Sequence, residues 1–232
     1  LCDFRTTVGA STNTAGGVSV GDRWTVRQVR FTNLEYFKLW VNYAVGARIV
    51  DNRFDNRGGA ESGDEDNIGG GGRNDGTVIE HNMFDATING NSFDFTNAIR
   101  TVVRDNVVVT TPEVADARGV DEYGNMYFEG VVGATVTGNL YEGAHIVLKS
   151  NSGYAHVGNN KDVTNPRDIL VAGNVIRDSH TVGVAVAYDD YKDEDESYGT
   201  LGGWNDFSSV ESDHVVRAGG NNVVRDNLIE RS

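Results

Sequence analysis

Residues 103–108 read Val103-Arg104-Asp105-Asn106-Val107-Val108, and the chain repeats this phrase along its length. Further copies are Ile49-Val50-Asp51-Asn52-Arg53-Phe54, Ile79-Glu80-His81-Asn82-Met83-Phe84, Val136-Thr137-Gly138-Asn139-Leu140-Tyr141, Val171-Ala172-Gly173-Asn174-Val175-Ile176 and Val224-Arg225-Asp226-Asn227-Leu228-Ile229. A degenerate copy surrounds Asn33, giving Asn-to-Asn steps of 19, 30, 24, 33, 35 and 53 residues. Self-similarity at periods of about 20–50 residues signals a solenoid, propeller or array. In each copy the aliphatic residue ends a short strand with its side chain inward. The Asp/Gly-Asn pair then turns a sharp corner, with Asn expected to take the left-handed conformation and to bond nearby backbone. Stacking the copies sets the Asn amides in a ladder and gives rungs that cannot bury an apolar side alone one shared core.

The surrounding composition agrees with strands. Val is abundant (32) and Leu scarce (8), which favours extended structure. No stretch of about 12 residues shows helical periodicity. With 29 Gly and only 2 Pro, glycine belongs to turns. A net charge of −14 argues against nucleic-acid binding through the phosphate backbone. The 22 Asp and 12 Glu against 16 Arg and 4 Lys resemble the surfaces of proteins from salt-loving organisms; an ordinary acidic secreted protein is the other reading. Cys2 stands alone and makes no internal disulfide. No apolar run is long enough for a membrane span. The chain starts without Met, inside apparent strand sequence, and is expected to be processed from a longer one.

Four polar stretches interrupt the repeats, at about 55–77, 111–125, 150–167 and 189–213, and are read as long loops of a single domain spanning 1–232. Gly69–Gly72 follow acidic residues without any phosphate-loop pattern and read as flexible loop. The last excursion explains the 53-residue step, unless it hides another rung. Trp24, Tyr36 and Trp40 form either an exposed sugar-stacking platform or the closed end of the core.

The copies at 79–84, 103–108, 171–176 and 224–229, with strands such as Ile146–Lys149 and Val182–Tyr188, resemble the right-handed parallel β-helix family of pectate-lyase-like proteins. The resemblance implies an all-β, right-handed single-stranded parallel β-helix of roughly eight to ten rungs about 4.8 Å apart. It also implies an extracellular or cell-surface setting and a sugar site along one sheet, fenced by long loops. The expected function is a carbohydrate-active protein acting on or binding a polysaccharide, as a lyase, hydrolase or epimerase. The alternative is a non-catalytic surface, fibre or virion β-helix that holds glycan or neighbouring subunits, including copies of itself. Fold alone does not choose.

Strand alternation picks outward side chains as candidates: Lys149, His145, Glu129, Asp94 and Asp189 for acid–base chemistry, and Trp204, Tyr127 and Tyr188 for substrate contact. Asp189 and Asp190 are the candidate calcium ligands. Val182, Val184 and Val186 are expected inward, so the small residues Gly183, Ala185 and Ala187 leave a trough beside the Val147 strand. A solvated charged face with ordinary cross-strand pairs is the competing account of these residues.

Overall fold

The structure, a computed structural model, describes residues 2–5, 17–32, 37–55, 66–70, 73–85, 91–110, 126–150, 163–179, 183–186, 216–217 and 219–231. Three parallel sheets run the length of the molecule. Sheet A stacks β1 (Cys2–Arg5), β4 (Val29–Thr32), β7 (Arg53–Asp55), β10 (Met83–Asp85), β13 (Val107–Val109), β16 (Leu140–Glu142), β20 (Val175–Arg177) and β24 (Leu228–Glu230). Sheet B stacks β2 (Val18–Val20), β5 (Leu39–Val41), β8 (Ile68–Gly70), β11 (Phe93–Thr96), β14 (Met126–Glu129), β17 (Ile146–Lys149) and β21 (Val184–Val186). Sheet C stacks β3 (Thr25–Arg27), β6 (Arg48–Val50), β9 (Val78–Glu80), β12 (Val102–Arg104), β15 (Thr135–Thr137), β19 (Leu170–Ala172) and β23 (Val223–Arg225). The chain passes from C to A to B in every complete rung. This is a parallel β-helix, with eight strands in its longest sheet. Among the described residues there is no helix.

The repeated phrase is the C-to-A corner, and the structure refines how it turns. The left-handed residue is the one before Asn: Asp51, His81, Asp105, Gly138, Gly173 and Asp226 have φ between 54° and 68°. The Asn residues that follow them are not among those with positive φ. This corrects the expectation that Asn itself supplies the left-handed turn. Asp, His and Gly are residue types that tolerate that region, which is why they precede every Asn of the repeat. The Asn side chains instead point inward and form the expected ladder. Asn82 accepts at Oδ1 from the Asn52 backbone N–H (2.9 Å) and from Asn52 Nδ2 (3.0 Å). Its own Nδ2 donates to the Ile49 carbonyl (2.9 Å) and to Asn106 Oδ1 (3.0 Å). The pattern continues from Asn106 to Asn139, Asn174 and Asn227 at 2.9 Å for each link.

The copy assigned to Asn33 is corrected by the register. Val29 pairs with Cys2 below it, and its N–H donates to Asn52 Oδ1, so Val29 occupies the Asn position of that rung. Asn33 lies outside the described residues. No hidden rung fills the 53-residue step: Asn174 bonds Asn227 directly, and β19 and β20 pair with β23 and β24. The 53-residue step does contain a short strand, beyond residue 213. β18 (Val163–Thr164) pairs in parallel with β22 (Val216–Arg217), joining the connections that leave β17 and β21.

The core lies between the three sheets. On sheet A, Phe31, Phe54 and Phe84 stack face to face at 5.0 and 4.8 Å. Val108, Tyr141 and Ile176 continue that column. Tyr141 is fully buried; its hydroxyl donates to the Met126 sulfur at 3.2 Å, and burial pushes its pKa up. Sheet B contributes Leu39, Ile68, Phe93, Met126 and Ile146 from one inward column.

Gly69 and Gly70 are not loop residues. They sit in β8 between β5 and β11. The Phe37 ring lies where a Gly69 Cβ would stand, 2.2 Å from that point, and the Val41 carbonyl oxygen is 1.9 Å from the Cβ position of Gly70. Glycine is used here for close approach inside a sheet, a use that a Gly run does not advertise.

Candidate functional site

Connection length separates the corners. From the second rung on, sheet C reaches sheet A through two residues each time, such as Asp51-Asn52 and Asp105-Asn106. Every long connection borders sheet B instead. Residues 56–67 and 110–125 lead into β8 and β14, while 150–169 and 187–222 lead out of β17 and β21. In solenoids, insertions gather on the face that binds.

The register fixes what sheet B presents outward. One column runs Trp40, Gly69, Asp94, Tyr127, Val147 and Ala185. Beside it runs Thr96, Glu129 and Lys149. Lys149 Nζ lies 2.6 Å from Glu129 Oε1 and 4.7 Å from the Tyr127 ring centroid. The Thr96 hydroxyl donates to Glu129 Oε2 at 3.2 Å. Glu129, Lys149, Tyr127 and Asp94, four of the sequence candidates, thus fall on three successive rungs. Thr96 joins them: alternation sets it outward beside Asp94, but a threonine in a single strand carries no sign of acid–base use. The signal that finds it is the alignment of Phe93–Thr96, Met126–Glu129 and Ile146–Lys149 as three four-residue strands, which puts Thr96 beneath Glu129.

This face is not the solvated one that alternation alone suggests. Glu129, Tyr127, Thr96 and Val147 are buried, and the Lys149 side chain keeps 19% of its exposure against 4% for Glu129. A carboxylate held away from water against a partly exposed ammonium is sensitive to whatever polar group approaches the pair.

His145 is also buried, with its carbonyl accepting from the Met126 N–H at 3.1 Å. Alternation expects it on the side of Lys149, but four residues of extended chain put about 13 Å between their Cα atoms. They stand at opposite ends and do not form one site. The trough expected beside β17 is also altered. Val184 and Val186 pair with Ile146 and Leu148, but Val186, expected inward, is 41% exposed on this last strand of sheet B; Ala185 keeps its place beside Val147. A Cβ on Gly183, however, would meet the Ile229 side chain at 2.8 Å, and Ile229 follows Ile176 in the inward column of sheet A, so Gly183 turns toward the core side and is not part of an outward trough. Trp40 packs against Phe37 at 4.5 Å between centroids, while Trp24 is 55% exposed at the corner leading into sheet C. Tyr36, Tyr188, Asp189, Asp190 and Trp204 lie outside the described residues, as do Val182 and Ala187.

Sheets C and A carry a different charge pattern. Glu80 is buried between two arginines: Arg104 Nε donates to Oε2 at 2.8 Å, and Arg48 Nη2 reaches Oε1 at 2.5 Å. The Arg104 hydrogen bond, with the charges of Arg104 and Arg48, holds the Glu80 carboxyl below its ordinary pKa against the opposing pull of burial. Arg53 bonds Asp85 and Arg30 bonds Asp55, each one rung up. At the exposed corner, His81 lies 3.8 Å from Asp51 and 3.7 Å from Asp105. Among the described residues no group of three or more His, Cys, Asp or Glu side chains is placed to hold a metal ion. No helix there is long and apolar enough to cross a membrane.

Neither a known protein family, a curated protein nor a solved structure matches this chain.

Proposed function

We propose that the chain is a glycan-acting β-helix that works at the cell surface or outside the cell, with the outer face of sheet B as its sugar-binding face. The observation that carries this reading is the convergence of Glu129, Lys149, Thr96 and Tyr127 on successive rungs, between the connections of greatest length. In this reading Glu129 is the acid–base group, and Lys149 and Thr96 fix one oxygen each. Asp94 is one rung and two residues away, about 8 Å by Cα on strand geometry. Hydrolysis of a glycosidic bond uses two carboxyl groups, and Glu129 and Asp94 are the two on this face. Tyr127 and Trp40 supply aromatic rings of the kind sugars pack against.

The test is incubation with a polysaccharide panel, read both by reducing ends and by the absorbance of unsaturated products. For an enzyme, Glu129→Gln is expected to cut turnover by about 10²–10⁴-fold with the fold intact. A second reading, a non-catalytic adhesive or structural β-helix, is supported by the fact that Lys149 and Glu129 already satisfy one another. It predicts retention of glycan on affinity gels with no product released.

The acidic, lysine-poor composition further supports a salt-adapted source. Screening relieves self-repulsion, so the melting temperature is expected to rise from low to molar NaCl; a flat or falling trend removes that part of the reading.

A further inference from the structure

If the sheet B face is the sugar site, its charges bear on which glycan it takes, and the inference rests on that reading of the face. None of the sheet B strands contains an arginine. The strand arginines of the three long sheets stand on C and A, where Arg30, Arg48, Arg53 and Arg104 are each committed to a carboxylate. Arginine is the side chain that grips a carboxylate or sulfate with two parallel hydrogen bonds, and the candidate site has none among its described residues. Its one strand-borne cation, Lys149, is 2.6 Å from Glu129. Lys38, which precedes β5, is 1% exposed. An anionic sugar reaching Lys149 would have to displace Glu129. That would leave a carboxylate of 4% side-chain exposure without its counter-ion, beside Asp94 on the same face. At longer range the net charge of −14 repels any polyanion approaching the molecule. What the face offers at its surface is the partly exposed Trp40 and the partly exposed Asp94, whose carboxylate oxygens accept from sugar hydroxyls, while the Tyr127 ring, the Thr96 hydroxyl and Glu129 lie buried.

We infer that the ligand of the sheet B face is an uncharged, hydroxyl-rich glycan, and that the Glu129–Lys149 pair acts as a filter against uronate and sulfated chains. Glu129 is here a specificity determinant as well as a reacting group: it neutralises the lysine that an acidic sugar would use.

The experiment is affinity electrophoresis and calorimetry of the full chain against two sets of soluble probes. One set is neutral (xylan, mixed-linkage β-glucan, galactomannan); the other is polyuronate (polygalacturonate, alginate). Each is run at low and high salt. The expected result is binding to at least one neutral glycan, with polyuronates at least tenfold weaker. In Glu129→Gln, which frees the Lys149 charge, polyuronate affinity is expected to rise several-fold. The gain should fall with added salt and disappear in the Glu129→Gln/Lys149→Met double variant. A wild-type preference for polyuronates overturns the inference and leaves the glycan reading standing, and so does a Glu129→Gln protein that folds but gains nothing. Binding to neither set overturns the glycan reading itself. Should Glu129→Gln fail to fold, the wild-type ranking of the two probe sets decides.

Discussion

The corner between sheets C and A and the outer face of sheet B are both lined with buried polar groups, yet they are built by opposite rules. At the corner, two residues repeat in every rung from the second on, and each buried Asn bonds only to backbone and to the next Asn. Nothing there varies in length, because an added residue would break the register of sheets C and A together. At sheet B the polar residues change from rung to rung: Thr96, then Glu129, then Lys149. Chain is inserted freely on either side. A group used for architecture repeats with the lattice, while a group used for something else appears once. The contrast supports the proposal that the sheet B face is the functional one and the corner structural.

The largest effect is expected where the lattice is interrupted. Asn106→Ala removes the acceptor for the Asn82 N–H and Nδ2 and the donor to the Ile79 carbonyl and Asn139. Several buried groups lose partners at once, so a loss of about 3–5 kcal/mol is expected in urea denaturation. Asn227→Ala, at the exposed last rung, is expected to cost about 1 kcal/mol. Equal losses at the two sites would show that the ladder does not act as a cooperative stack.

The next effect concerns Glu80, the point where sheet C holds a paired carboxylate as buried as Glu129 of sheet B. Its folded pKa is lowered from 4.5, chiefly by the Arg104 hydrogen bond. A group so shifted adds stability above its unfolded pKa and loses it as pH falls through the folded value. Wild-type stability is therefore expected to drop below about pH 4.5, and Glu80→Gln to flatten that drop. At neutral pH the substitution leaves Arg48 and Arg104 facing one another. A cost of about 2 kcal/mol is expected, discounted for the half-exposed arginines. An unchanged pH profile in Glu80→Gln would place the acid sensitivity in other carboxylates.

How much of the molecule is legible in its sequence follows from the same contrast. The repeating corner announces itself in six copies of one phrase, and with it the solenoid, the stacked Asn residues and the inward columns. Features that do not repeat are harder to read. Gly69-Gly70 has the look of a loop because the Phe37 ring that requires glycine there comes from a different rung. Val29 fills an Asn position with an apolar side chain, so the eye settles on Asn33 for the degenerate copy instead. Alternation puts His145 and Lys149 on one side, but it gives a side and not a distance. The Glu129–Lys149 contact needs the exact register of β14 on β17, which comes from aligning Met126–Glu129 with Ile146–Lys149.

The smallest effect on stability is expected at the pair proposed to carry function, and that smallness is the test. If Glu129 and Lys149 serve a ligand, the fold has no need of their attraction. Lys149 retains a path to water, so its charge is partly hydrated whether or not Glu129 is present. A double-mutant cycle on stability, using Glu129→Gln, Lys149→Met and the double variant, is then expected to give a coupling of about 1 kcal/mol or less. Thr96→Val, which removes only the hydroxyl bonded to Glu129, is expected to lie within about 1 kcal/mol of wild type. A coupling of about 3 kcal/mol would mean that the pair holds β14 and β17 together as Glu80 holds its arginines. The sheet B cluster would then be a second architectural device, the contrast with the corner would collapse, and the non-catalytic scaffold would be the better account of the molecule.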